Sequence, residues 1–265
     1  MVLKDKVAIV LGASAEAGSG WAVAKRFAAE GAKVVVAARR AEPLKKLAAE
    51  IDGAWITCDV AKEDEVKALV DFAMEKYGRI DVACNAAGLP MGGTITNAPM
   101  ADVREAMEVD YFGCVYFVRY VAEAMKQDGT GGSIILFSSM TATHMLESVY
   151  PYACAKAAAD CLVVYAAAEY GPFGIKVNSI LPGPIRSEMS TPLWQVEGME
   201  HAWNKDVPLG RLGLPEDFAD ACLWLAGPSF VTGLNLQVSG GNQIFRFPRL
   251  TERPALDGYD PTNAA

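Results

Sequence analysis

No apolar run in this chain of 265 residues reaches the roughly 18 residues that a membrane helix needs. The start, Met1-Val-Leu-Lys-Asp-Lys, lacks the apolar region of a secretory signal and leads straight into a strand. Both absences predict a cytoplasmic protein with no membrane partner. Paired cysteines are missing too. The six thiols, at 58, 84, 114, 154, 161 and 222, form no Cys-x-x-Cys motif, which argues against a zinc or redox site. They are expected to be reduced and buried as small hydrophobes, and no metal is expected. Basic charge is in deficit, with 24 Lys and Arg against 32 Asp and Glu and a net charge of −8. An acidic surface repels phosphate backbones, so nucleic acid is excluded as a partner.

What is present is a folded composition, 52% hydrophobic and 21% charged, in a length that suits one large domain spanning 1–265. Apolar runs predict strands at 6–11, 33–37, 54–58, 80–84, 132–138, 175–180 and 234–238. Helical periodicity predicts helices at 19–30, 41–51, 62–77, 99–127, 150–170 and 215–226. Lys33-Val-Val-Val-Ala37 and Ser133-Ile-Ile-Leu-Phe137 are apolar on both faces, as parallel strands between two helix layers are. The fold class is therefore α/β, a three-layered, Rossmann-type, doubly wound parallel sheet. Residues 184–208 break the alternation and read as a long loop with short helices. Residues 242–265, with Pro248, Pro254 and Pro261, read as an irregular extension, docked on a neighbouring subunit or frayed.

Between the first strand and the helix after it lie Gly12, Ser14, Gly18 and Gly20. Glycines here let the backbone approach a pyrophosphate, and the helix N-terminus offers N–H groups and a positive dipole end. Further along, Tyr152 and Lys156 are four apart in an Ala-rich helical stretch, so they share a face. Pro151 suits that helix's first turn. Ser139 lies thirteen residues before Tyr152, at the end of a buried strand.

Glycine loop, Ser139 and Tyr152-x3-Lys156 together resemble the short-chain dehydrogenase/reductase family over about residues 5–241. In place of the family's Thr-Gly-x3-Gly-x-Gly, Leu11 replaces Thr and five residues separate Gly12 from Gly18. That spacing looks like the loop of enoyl-reductase relatives. Asn85-Ala86-Ala87-Gly88, Asn178 to Gly183 and Val238-Ser-Gly-Gly241 resemble further family segments in the family's order. The resemblance implies cofactor contacts from Asp59 and Val60 (adenine), from Asn85, Ala86 and Gly88, from Pro182, Gly183 and Ile185, and from Ser187, where a Thr usually meets the carboxamide.

The family's NAD-specific members place an acid where Ala38 stands. Arg39 and Arg40 follow instead, and can meet a 2′-phosphate through charge-assisted bonds. The resemblance therefore implies NADP(H), with NAD(H) possible. Glu16 in the glycine loop counts against this, and the arginines could be solvated surface charges.

The implied chemistry is hydride transfer between the cofactor and a carbonyl or alcohol. A free Tyr, with a pKa near ~10, is a poor base at neutral pH. A nearby Lys156 ammonium, together with an oxidised nicotinamide ring, would favour the phenolate and lower that pKa, and Lys156 would also hold ribose. Tyr152 is then the acid/base, and Ser139 hydrogen-bonds the same substrate oxygen. Asp110 stands where the family has a water-positioning Asn, in Val109-Asp-Tyr-Phe-Gly113. It could also hold that water, but as an anion it would hold Lys156 more firmly charged.

The family's variable substrate loop falls at 188–208. Met189 and Trp194 there, with His144, Met145 and Tyr150 opposite, suggest a hydrophobic ketone or secondary alcohol; the same residues could simply pack the loop. Small residues along 150–170 imply, by family analogy, a homotetramer or homodimer. Two alternatives stay open. One is enoyl reduction, although carrier-protein enoyl reductases space their Tyr and Lys by six intervening residues and here there are three. The other is a non-catalytic dinucleotide-binding protein.

Overall fold

The computed structural model describes residues 1–188 and 190–254. Among them, seven strands form one parallel sheet in the order β3-β2-β1-β4-β5-β6-β7. The strands are β1 (Val7–Leu11), β2 (Lys33–Ala38), β3 (Ala54–Thr57), β4 (Val82–Asn85), β5 (Gly132–Phe137), β6 (Ile175–Pro182) and β7 (Asn235–Val238). The main helices are α1 (Ser19–Ala29), α2 (Ala41–Glu50), α3 (Glu63–Tyr77), α4 (Met100–Met107), α5 (Gly113–Asp128) and α6 (Tyr150–Tyr170). Two short helices, α7 (Thr191–Trp194) and α8 (Met199–Asn204), precede α9 (Pro215–Ala226).

Strand alternation sorts the core into two halves. Ile9, Leu11, Val35, Ala37, Ile134 and Leu136 face α3, α5 and α6. Ala8, Val10, Val34, Val36 and Ile135 face α1, α2 and α9. Every residue of β1 is buried, as a strand covered on both faces requires. After β3 the chain returns to the other side of β1, so β1 and β4 flank the switch point. In such sheets the crevice beyond the carboxyl ends of these strands takes the ligand. Gly12 lies just past β1, Asn85 ends β4, Ser139 follows β5 and Gly183 follows β6.

Three sequence expectations are corrected. The helix expected over 99–127 is interrupted by a π-helical segment, Glu108–Phe112, between α4 and α5. Of the thiols, Cys58, Cys84, Cys114 and Cys222 are buried, but Cys154 and Cys161 are exposed on α6. The segment 242–254 docks on its own chain through two 3₁₀ turns, Asn242–Ile244 and Leu250–Glu252; the rest of the expected extension lies outside the described residues. No helix among the described residues is long and apolar enough to cross a membrane. No group of three or more His, Cys, Asp or Glu among them could hold a metal.

Candidate active site

The glycine loop is built by close backbone approach. Gly12 has φ +88°, and a Cβ there would lie 2.4 Å from the Ala87 nitrogen. A Cβ on Gly20 would lie 2.4 Å from the Gly12 carbonyl oxygen. Any other residue at either place would push the backbone apart. Gly18 stands at the N-cap of α1, and no side chain caps the helix. Its first N–H groups and dipole end are thus left for an anion. Opposite, the Asn85 Oδ1 accepts from the Ala87 nitrogen at 3.0 Å, which shapes the turn out of β4.

Two adjoining cavities run along the strand ends. One, of about 350 Å³, is lined by Gly12, Ser14, Arg39, Arg40, Asp59, Val60, Ala86 and Gly88. The other, of about 220 Å³, is lined by Gly12, Gly18, Gly20, Ser139, Tyr152, Lys156, Pro182, Gly183, Ile185 and Ser187. An elongated cleft with a glycine cradle, an uncapped helix end and a cationic mouth fits a dinucleotide. A larger groove of about 900 Å³ between α1 and α9 includes Trp21, Arg26 and Arg186 but none of Ser139, Tyr152 and Lys156. Volume alone does not mark the site.

At the cleft's mouth Arg40 is already engaged. Its Nε donates to Ser14 Oγ at 3.2 Å, its Nη2 to the Ser14 carbonyl at 2.9 Å, and Nη1 to Glu188 Oε1 at 3.2 Å. Glu16 pairs with Lys46 at 2.6 Å. Arg39 is exposed.

The reacting end rests on β5 and α6. Ser139 Oγ accepts from the Thr141 nitrogen at 3.2 Å and from the Thr141 hydroxyl at 2.9 Å. With both acceptor positions taken, its own proton is available to donate. Tyr152 is hydrogen-bonded to Ser139, and Lys156 Nζ lies 5.5 Å from the centre of the Tyr152 ring. Lys156 donates to the Phe137 carbonyl at 2.7 Å and pairs with Asp110 at 3.0 Å. The π segment carries Asp110, whose side chain has no exposed surface, and such segments recur at functional sites. The carboxylate also accepts from the Leu89 nitrogen at 3.3 Å.

Burial pushes the Tyr152 phenol up; Lys156 pulls it back down, and Asp110 adds to the rise. Lys156 thus acts in the expected direction on the phenol, against the larger effect of burial. Burial alone would lower Lys156, but Asp110 and Tyr152 hold its ammonium above the ordinary lysine range. Burial also raises Asp110 against the pull of Lys156. Asp110 meets the lysine directly, as an ion pair.

The loop after β6 is packed against the docked segment. Met140, Met199, Trp203, Leu212 and Phe247 form a separate buried cluster, with Leu146, Leu193 and Trp194 against it. Trp203 stacks edgewise on Trp194 at 5.8 Å and on Phe247 at 5.5 Å. Trp194 spends its indole N–H on the Ile185 carbonyl and Ser190 Oγ, both at 2.8 Å. His144 has one ring nitrogen against Thr143 Oγ1 at 2.9 Å and the other against the Gln243 carbonyl at 2.8 Å. Both residues thus pin the loop and the docked segment. Met145 is exposed, Tyr150 opens α6 half-buried, and Met189 lies outside the described residues. Sequence reasoning missed Thr141 and Glu188; Glu147 anchors the docked segment by accepting from the Leu250 nitrogen. Only the hydroxyl two residues after Ser139 offered a local signal.

Comparison with known proteins agrees with this architecture. A family model described as "Enoyl-(Acyl carrier protein) reductase" matches residues 12–243. The chain is 37% identical over 250 residues to the 7alpha-hydroxysteroid dehydrogenase of Escherichia coli K12, covering 90% of this chain and 94% of that protein. A short-chain type dehydrogenase/reductase structure from Mycobacterium ulcerans superposes with a TM-score of 0.90 at 29% identity, over 95% of this chain and 94% of that one. A structure of 7alpha-hydroxysteroid dehydrogenase with NADH and 7-oxo glycochenodeoxycholic acid gives 0.84 at 36% identity, over 90% and 94%.

Proposed function

The chain belongs to the short-chain dehydrogenase/reductase family, and on that premise we propose that it moves a hydride between NADP(H) and a hydrophobic ketone or secondary alcohol. At the coarser level it is an NAD(P)-dependent oxidoreductase acting on CH–OH groups. The observation that carries the finer reading is the convergence of Ser139, Tyr152 and Lys156 in one cavity beside the glycine cradle.

When bound, the nicotinamide supplies or accepts the hydride. Tyr152 gives its proton to the carbonyl oxygen in reduction and takes it from the alcohol in oxidation. Ser139, held by Thr141, donates to the same oxygen as charge develops there. Lys156 keeps a positive charge beside the phenol. Two of its three N–H groups go to Phe137 and Asp110, which leaves one for a ribose hydroxyl.

NADP(H) is favoured because Ala38 supplies no acid and Arg39 is exposed at the cleft; NAD(H) is the alternative. The hydrophobic substrate class is supported by the 7-oxo glycochenodeoxycholic acid held by the similar enzyme. Association into a homodimer or homotetramer is supported by Val164 and Tyr165 on α6, which are 51% and 72% exposed.

The matched model's description favours a second reading, reduction of an enoyl thioester. The test is a panel of hydrophobic ketones, secondary alcohols and enoyl thioesters with both dinucleotides. Turnover of ketones or alcohols is expected. Turnover confined to an enoyl thioester would replace the first reading with the second, and binding without any turnover would favour a non-catalytic role.

A further inference from the structure

The two cations at the end of β2 differ in their surroundings. Arg39 makes no hydrogen bond or ion pair among the described residues. Arg40 is held by Ser14 on one side and by Glu188 on the other, with Nη1 and Nη2 each 3.2 Å from the same Glu188 oxygen. Glu188 is 148 positions away in the sequence. Its own backbone nitrogen is tied to the Ala17 carbonyl at 3.2 Å, so the glycine loop helps hold it there. Glu188, Arg39 and Arg40 all line the same cavity, with Asp59. The nearby Glu16 has Lys46 as its partner, so Glu188 is the acid that Arg40 meets.

We propose that Glu188 tempers the preference for the 2′-phosphorylated dinucleotide by occupying Arg40. This rests on reading the cleft as a dinucleotide site. A 2′-phosphate needs a guanidinium fork for charge-assisted, bidentate bonds. Arg40 already turns its fork toward a carboxylate. The phosphate must either displace that carboxylate or sit beside it against like-charge repulsion. A 2′-hydroxyl is neutral and meets neither obstacle. Arg39 thus supplies the attraction for phosphate, and Glu188 limits what Arg40 adds. The side chains of the pair are about half exposed, 54% and 46%, so the effect is modest. Exposed pairs contribute up to about 1 kcal/mol, which is about fivefold in affinity.

The test is fluorescence titration of NADPH and NADH into the full chain, into Glu188→Gln, into Arg40→Ala, and into the double variant. Glu188→Gln is expected to tighten NADPH about three- to fivefold at low salt, with NADH changing by less than about 1.5-fold. The gain should shrink as salt is raised and vanish in the Arg40→Ala background. An unchanged NADPH-to-NADH ratio in Glu188→Gln, with both dinucleotides binding, would overturn this proposal alone. So would a gain that persists undiminished without Arg40. If neither dinucleotide binds the unaltered protein, the dinucleotide site itself fails, and this proposal with it.

Discussion

Lys156 Nζ stands 3.0 Å from Asp110 Oδ1, and both side chains are shut away from solvent. A buried ion pair of this kind needs further hydrogen bonds to offset its desolvation. Here the Phe137 carbonyl takes one lysine proton and the Leu89 nitrogen donates to the carboxylate. The anion therefore sits at the end of the chain Asp110–Lys156–Tyr152, and it opposes the lysine's pull on the phenol.

That arrangement fixes the sign of a pH effect. Asp110 helps to keep the proton on Tyr152, so removing its charge makes the phenolate easier to form. In the proposed mechanism, alcohol oxidation needs the unprotonated Tyr152. In Asp110→Asn the acid limb of the kcat profile is expected to move to lower pH, measured alongside the unaltered enzyme. An unmoved limb would show that the charge at this position has no part in the proton step.

The glycine cradle gives a second expectation. In Gly20→Ala the new methyl meets the Gly12 backbone at 2.4 Å, and overpacking of this kind costs about 1–3 kcal/mol. Dinucleotide binding should weaken about tenfold or more, since about 1.4 kcal/mol is a factor of ten. Gly171→Ala, where the methyl enters open space, should bind as the unaltered protein does. Isothermal titration of both variants checks the pair.

Much of this was readable from the chain because the relevant signals are local. Doubly buried strands reveal a covered parallel sheet, as in Lys33 to Ala38. A glycine loop between strand and helix, and a Tyr and Lys one helical turn apart, need no distant partner to be recognised. Contacts between distant segments left no such trace. Arg40 and Glu188 meet only once the loop after β6 folds over the cleft. The π segment at Asp110 has no period of its own in the sequence. Cys154 and Cys161 looked buried because alanines cover α6 on many sides, which blurs the distinction between its inner and outer faces.

The docked segment is another such long-range contact, and it carries a third expectation. Phe247 is 5% exposed and packs on Trp203. Truncating a buried Phe to Ala costs about 3–5 kcal/mol. Phe247→Ala should loosen the loop after β6, red-shift tryptophan emission and, if that loop borders the substrate as proposed, raise KM more than it lowers kcat. A variant with unchanged emission and KM would show that this contact does not support the loop.

The most direct measurement is Tyr152→Phe, read for both turnover and dinucleotide affinity. The substitution removes only the phenolic oxygen to which the proposed mechanism assigns the proton exchange. Turnover is expected to fall by about 10²–10⁴-fold, the usual contribution of a positioned acid/base, while the dissociation constant for the dinucleotide stays within about threefold, a change below about 0.7 kcal/mol. Turnover close to that of the unaltered enzyme would contradict the assignment of Tyr152 as the acid/base and, with it, the proposed mechanism.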